Sequence, residues 1–243
     1  MTKNKFNEIS VIIPVYKEEK RLKQSLPKIV KYLNDNFSRF EIIIALDPPK
    51  GNTEQIAKDI YKDIILIESN KNMGKGYSVK QGIVAAKYEI ILFVDVDLST
   101  PIEEIGRFMP YLNTHQVIIG SRNLKDSKIT KRQPLLRSTL GNIFPLFVRF
   151  LIIKDIKDTQ CGFKMFKKET IRPIFSKQKI DGFAFDAELL LIAKKKGYKI
   201  KEIPIEWTNS DESRLNVFKD SIRMGIEITK IFINNKRGYY NGN

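Results

Sequence analysis

Five short β-branched, apolar runs alternate with stretches of helical length over the first 122 residues, and this rhythm limits the possible folds more than any other feature. Ile9–Pro14, Glu41–Leu46, Ile64–Glu68, Ile90–Val94 and Val117–Gly120 read as strands. Glu18–Asn36, Thr53–Lys62, Gly76–Lys87 and Ile102–Leu112 read as the intervening helices. Strands joined through helices make right-handed crossovers, so the expected class is α/β with a mainly parallel central sheet. SVIIPV, EIIIAL and EIILFV are apolar without alternation, as strands covered on both faces are. Ligands of such sheets bind beyond the carboxyl ends of the strands, which directs attention to PVYKEE, DPPKGNT, DVDLST and GSRN.

The charge balance narrows the partners. Lys plus Arg number 43 against 28 Asp plus Glu, a formal charge of +15, so an anionic partner is expected: a phosphate-bearing substrate, an anionic lipid surface or a nucleic acid. No recognition-motif aromatic signature is present and the acids fall at strand ends, so a nucleic-acid partner is not expected. The single cysteine, Cys161, excludes an intramolecular disulfide and reads as a small buried residue. The single histidine, His115, reads as an exposed loop residue and makes a Ser-His-Asp triad improbable. Any metal must then sit on carboxylates. The N-terminus lacks the apolar core of a signal peptide, and no run reaches the roughly 18–20 apolar residues of a membrane span. A cytosolic or peripheral membrane protein is expected.

Asp95-Val96-Asp97 follows an apolar strand. Read as extended backbone, it puts both carboxylates on one side, as hard oxygen ligands suited to Mg2+ or Mn2+. The alternative is that Asp97 or Ser99 merely caps the next helix, expected to start at Pro101. Asn70 to Gly76, NKNMGKG, stands between a strand and a helix. Its glycines and Lys75 suit either a diphosphate at a helix N-terminus or an ordinary turn. It matches neither the Walker pattern nor G-x-G-x-x-G.

Taken in order, SVIIPVYKEE, NKNMGKGYSVKQGI, FVDVDLST and GSR resemble glycosyltransferase family 2, the inverting enzymes of GT-A fold, a Rossmann-like architecture. DTQCGFKMF, FAFDAELLLIA, EIPIEWT and Ser213-Arg214 are similar to its dolichyl-phosphate β-glucosyltransferase and mannose synthase branch. The resemblance implies that Pro14, Tyr16 and Glu18 hold the nucleotide, that Asp47 contacts the base and that Lys75 lies near the donor. It also implies that Asp95 and Asp97 bind the metal and that Arg214 meets the donor diphosphate. Arg122, Asp186 and Glu188 would build the sugar and acceptor pocket, although the two acids also suit a helix N-terminus as simple dipole partners. Where relatives read V-D-D-G-S, this chain reads Ala45-Leu46-Asp47-Pro48-Pro49, losing one acid and the Gly-Ser turn. The implied donor is a nucleotide sugar, UDP-glucose first and GDP-mannose or another UDP-sugar second. The implied acceptor is dolichyl or polyprenyl phosphate at the cytosolic membrane face.

The expected organisation is one domain over residues 1–243, with a nucleotide-sugar half at 1–122, an acceptor half at 123–215 and a C-terminal amphipathic helix and tail at 216–243. Lys131, Arg132 and Arg137 stand before the most apolar helix candidate, as cations for a lipid phosphate or as a solvated basic face. That candidate, Ile143–Ile153, is about 16 Å long and too short to span a bilayer; it suits an interfacial helix or a core helix. Val217–Asn234 carries Phe218, Ile222 and Ile226 on one stripe with Lys219, Arg223 and Lys230 beside it, an amphipathic pattern. Trp207 suits the core or a stacking role equally.

Overall fold

The computed structural model describes residues 6–48, 51–131, 147–210 and 217–241. Strand β1 (Phe6–Val15) lies beside β2 (Phe37–Leu46) and β4 (Ile90–Val94), parallel to both, with Val11 opposite Ile42 and Leu92. Beyond β2 comes β3 (Ile65–Glu68), also parallel. On the other side β7 (Phe163–Lys167) runs antiparallel between β4 and β5 (Val117–Ser121), and β8 (Ile200–Pro204) adds to β5 in parallel. The sheet order is therefore β3-β2-β1-β4-β7-β5-β8, and it takes strands from both sides of residue 123. A separate parallel pair joins β6 (Lys128–Lys131) to β9 (Glu206–Thr208).

Each central strand feeds two cores, because alternate side chains leave opposite faces of the sheet. Ile9, Val11, Ile13, Ile42, Ile44, Leu92 and Val94 pack with Leu22, Leu26, Ile29 and Leu33 of α1 (Glu19–Asn36). This layer also holds α2 (Thr53–Ile60) and α4 (Ile105–Phe108). Ile12, Ile43, Phe93 and Ile119 face the other way. They meet α3 (Lys75–Ala85), α6 (Ile171–Phe175), α7 (Phe185–Lys195) and α8 (Val217–Lys236), and the same layer contains Val148 of α5, described over residues 147–151. Among the described residues no helix is long and apolar enough to cross a membrane.

One local expectation needs correction. Ile102–Leu112 is not one helix: 3-10 turns at Ile102–Glu104 and Met109–Asn113 flank the single α-turn of α4. Pro110 lacks the N–H that a continuous helix would use, and its ring would meet the Gly106 carbonyl. Near the end of the chain the strand segment breaks at Ile205, so that β8 joins the main sheet and β9 the small one. Every residue of α7 from Phe185 to Ala193 is buried.

The chain leaves β1 toward β2 and β3 on one side, and later returns to place β4 on the other. The carboxyl ends of β1 and β4 thus flank a topological switch point, where a crevice opens without obstruction from crossing loops. The segments after these two strands are Tyr16–Glu18 and Asp95–Asp97.

Candidate active site

The acids after β4 are presented by a turn, not by extended backbone as expected. Strand pairing ends at Val94, the Leu98 N–H donates to the Asp95 carbonyl at 3.1 Å, and Leu98 takes a left-handed φ of 47°. Val96 is buried while Asp95 and Asp97 remain part-exposed, so the turn still separates two carboxylates from the apolar residue between them. The Asp97 Oδ1 accepts the Ser99 N–H at 2.9 Å, a bond within the turn; the next helical turn, Ile102–Glu104, has Pro101 at its N-cap and no side-chain cap, so neither Asp97 nor Ser99 caps it as the alternative expected. The Asp95 Oδ1 lies 2.7 Å from Lys75 Nζ. The ion pairs and hydrogen bonds seen among the described residues thus use Oδ1 of each acid.

Two such carboxylates fit a hard divalent cation. No group of three or more potential metal-ligating side chains converges among the described residues, so an ion here would be completed by water and substrate oxygens, as is usual for Mg2+.

Lys75 begins α3, whose N-cap Gly74 has φ 108°. Burial works against the Lys75 charge, but the Asp95 and Asp186 carboxylates outweigh it and hold its pKa above the ordinary lysine value. Glu18 faces both Asp95 and Asp97 electrostatically. Burial raises its pKa, the Arg21 guanidinium lowers it, and the two aspartates add to the rise. Arg21 pairs with Glu18 and also donates to the Ser210 hydroxyl at 2.7 Å, tying the segment after β1 to the segment after β9. Tyr16 is exposed, and Pro14 is half-buried at the end of β1.

Asp47 follows β2 and is 4% exposed, and its Oδ1 has no hydrogen-bond partner among the described residues. Burial pushes its pKa up, against hydrogen bonding from Ser78 and the backbone of Gly74 and Met73. A buried acceptor without a partner is costly unless a ligand supplies the missing donor.

Behind the crevice lie two ion pairs in which the sequence indicated one partner only. Lys164, 0% exposed on β7, donates to Asp186 and to the Cys161 carbonyl, both at 2.5 Å. Burial raises the Asp186 pKa, with Lys164 and Lys75 opposing it. Arg122 clasps Asp158 through Nε and Nη2 at 2.7 and 2.8 Å, and its backbone N–H adds a third bond at 2.9 Å. Burial disfavours the Asp158 charge, but Arg122 more than compensates and its pKa falls below the ordinary value. The Arg122 guanidinium also lies 5.6 Å from the Trp207 ring, a cation–π contact that accounts for the half-buried position of this tryptophan. Cys161 is buried and its thiol is pushed up to about 12, chiefly by burial, consistent with an inert packing residue. His115 is half-buried beside Tyr111, not fully exposed.

The structure therefore brings Glu18, Lys75, Asp95 and Asp97 within electrostatic reach of one another beyond the carboxyl ends of β1 and β4, with Asp186 and Arg122 within reach of Asp95. Glu188 is fully buried and bonded at both oxygens, to Tyr240 and to the Lys179 and Ile180 amides. It holds protein backbone. Arg132, Arg137 and Arg214 lie outside the described residues.

Residues 10–175 match the family model described as glycosyl transferase family 2. The chain belongs to this family. It is a glycosyltransferase, and the relatives it matches specify a branch. It is 37% identical to a dolichyl-phosphate beta-glucosyltransferase of Dictyostelium discoideum, over 92% of this chain and 73% of that protein. It is 32% identical to the dolichyl-phosphate beta-glucosyltransferase of Homo sapiens, over 91% of this chain and 74% of that protein. Among solved structures, the glycosyltransferase superposes on Mycobacterium tuberculosis glucosyl-3-phosphoglycerate synthase in complex with Mn2+, UDP-glucose and phosphoglyceric acid. The TM-score is 0.71 at 15% identity, covering 93% of this chain and 79% of that one. Mannosyl-3-phosphoglycerate synthase from Rubrobacter xylanophilus gives 0.70 at 14% identity, covering 95% and 74%. These likenesses establish the GT-A fold.

Proposed function

We propose that this glycosyltransferase moves glucose from UDP-glucose to dolichyl or another polyprenyl phosphate, with inversion, at a membrane surface. The observation that carries the chemistry is the pair of part-exposed carboxylates, Asp95 and Asp97, at the switch point between β1 and β4, with Asp95 in contact with Lys75. The choice of glucose and dolichyl phosphate is supported by the relatives' names, at 37% and 32% identity across nearly the whole chain.

Inverting transfer requires an acceptor oxygen to approach the anomeric carbon opposite the departing nucleoside diphosphate. Asp95 and Asp97 would hold a divalent cation, which when bound would supply positive charge against the charge developing on that diphosphate. Lys75 and the N-terminal amides of α3 bring fixed positive charge to the same region. The Oδ1 of Asp47, without a partner among the described residues, would accept an N–H of the base. A lipid phosphate is already anionic at neutral pH, so it needs cations for positioning and no carboxylate base to deprotonate it. Arg132 and Arg137 fill that role in this scheme, with Arg214 on the donor diphosphate. Asp186 and Arg122, each fixed by a buried partner, keep the field behind the crevice constant.

Membrane contact is supported by apolar side chains left outside the core. Phe147 and Phe150 of α5 are 41% and 78% exposed, and Ile222, Ile226 and Ile233 of α8 are 52%, 53% and 42% exposed. Arg149, Arg223 and Lys230 accompany them, the composition of an interfacial surface facing anionic lipid.

The test is radiolabelled transfer from a panel of UDP- and GDP-sugars to dolichyl phosphate, with Mg2+ or Mn2+ supplied separately. UDP-glucose should be used best. Transfer from GDP-mannose alone would overturn the glucose assignment, and transfer undiminished by a chelator would overturn the metal assignment.

A further inference from the structure

We propose that α8 and Tyr240 position the Gly74–Gly76 loop for donor binding, acting through Glu227, Glu188 and the intervening segment 178–184. The proposal rests on the donor role given to that loop under Proposed function, and adds residues more than 100 positions away in sequence to its support.

One side of segment 178–184 grips the loop. The Gln178 side chain, 5% exposed, donates to the Gly76 carbonyl at 3.0 Å and to the Ile180 carbonyl at 2.8 Å. The Tyr77 N–H donates to the Asp181 carbonyl at 3.2 Å. The approach is too close for side chains: a Cβ on Gly74 would lie 2.5 Å from the Asp181 carbonyl oxygen, and one on Gly76 would lie 2.6 Å from Phe185 Cβ. Gly74 also holds φ at 108°, so its glycine is required by conformation as well as by space.

The other side of the segment is held from the C-terminus. Glu188 accepts the Lys179 N–H at 3.0 Å, the Ile180 N–H at 2.8 Å and the Tyr240 O–H at 2.6 Å. Both Glu188 and Tyr240 are 0% exposed. Glu227 of α8 accepts the Ala184 N–H at 3.0 Å and pairs with Arg223 at 3.3 Å, and its carboxylate sits so close to Gly182 that any side chain there would collide. Buried carboxylates bonded to backbone amides are charge-assisted and directional, so they fix where a loop sits. Lys75, carried between the two glycines, inherits that placement, and with it the 2.7 Å contact to Asp95. The same α8 bears the exposed isoleucines, so a helix facing solvent or lipid is tied to the segment that grips the donor loop, directly through its Glu227 and, past its end, through the bond of Tyr240 to Glu188.

The test uses Tyr240→Phe, which keeps the ring and removes one O–H, and Glu227→Gln, which keeps the shape and removes the charge. Two readouts are needed: hydrogen exchange of the free full-length protein, and binding of UDP with Mn2+ beside transfer kinetics. Exchange at Tyr77 and Ser78 should quicken about tenfold, the usual scale for losing a charge-assisted bond, with β1 and β2 unchanged. The Kd for UDP and the KM for the donor should rise by a similar factor, while the acceptor KM at saturating donor stays put; a purely structural role would lower Tm without that split. Unchanged exchange over residues 74–78 in both variants overturns the proposal, and so does quickened exchange with unaltered UDP affinity. Wild-type protein that binds no UDP, in the presence of quickened variant exchange, would instead overturn the donor role of the loop and support the mechanical link.

Discussion

One methyl group added at Gly162 should separate the work of Asp95 in the crevice from its place in the fold. The Gly162 carbonyl accepts the Asp95 N–H at 3.0 Å, just before β7 begins, and a Cβ at this position would collide with the Asp95 carboxylate. Gly162 is not among the residues of positive φ, so its backbone tolerates alanine. The obstructing group is the end of a part-exposed side chain, free to swing aside; doing so breaks the 2.7 Å contact with Lys75. That pair is 27% and 35% exposed, so its loss costs about 0.5–1 kcal/mol. Replacing glycine by alanine restricts the unfolded chain and returns about 0.4–1 kcal/mol. The two nearly cancel, and since 1 kcal/mol moves Tm by about 2–4 °C at this size, Gly162→Ala should melt within about 3 °C of wild type. A misplaced Asp95 no longer supports charge on the leaving diphosphate, a loss on the scale of about 100- to 1000-fold in turnover. Calorimetric melting and Mn2+-dependent glucosyl transfer, measured on the same preparation, check both halves. Turnover within twofold of wild type would refute the role of Asp95, and a fall in Tm beyond about 10 °C would refute the claim that the carboxylate yields cheaply.

Asp97→Ala should abolish metal-dependent transfer while costing only the 2.9 Å bond to Ser99, about 1 kcal/mol and therefore about 3 °C in Tm; retained turnover would remove Asp97 from the metal site. Asp158→Asn should destabilise the protein by about 3 kcal/mol at pH 7, the lower end for a broken buried pair because Arg122 keeps 27% exposure. The wild-type Asp158 has a folded pKa below its ordinary value of 3.8, so its contribution is full above that value and drains away as pH falls toward the folded one. Urea unfolding should accordingly show the gap between wild type and Asp158→Asn narrowing below about pH 4, and a constant gap would contradict the ion pair. Ile222→Asp with Ile226→Asp, each starting half-exposed, should forfeit about 1 kcal/mol of apolar burial apiece, or about 30-fold in affinity for anionic vesicles; unaltered flotation would exclude this stripe from the membrane contact.

The strands of the first half were legible because parallel strands covered on both faces must be almost wholly apolar where they are covered, and Val11–Val15 of β1, Ile42–Leu46 of β2 and all of β4 are. Strand β7 escaped because its sequence, FKMFK, interrupts that pattern with a lysine; Lys164 is tolerated at 0% exposure only because Asp186 arrives from α7, a partner no local pattern announces. Glu188 was misleading for the same reason. Its position in the first turn of a helix suggested a dipole partner or a pocket residue, whereas Tyr240, 52 residues on, turns it into an anchor for backbone amides. The acids of this protein are thus sorted by what reaches them from elsewhere in the fold. Asp158 and Asp186, buried at 0% and 4% exposure and each paired with a cation, become scaffold, while Asp95, although it too meets Lys75, and Asp97 stay part-exposed with the protein drawing on Oδ1 of each. Residue type does not separate the four. Burial together with the supply of partners decides which of them is left to meet a substrate.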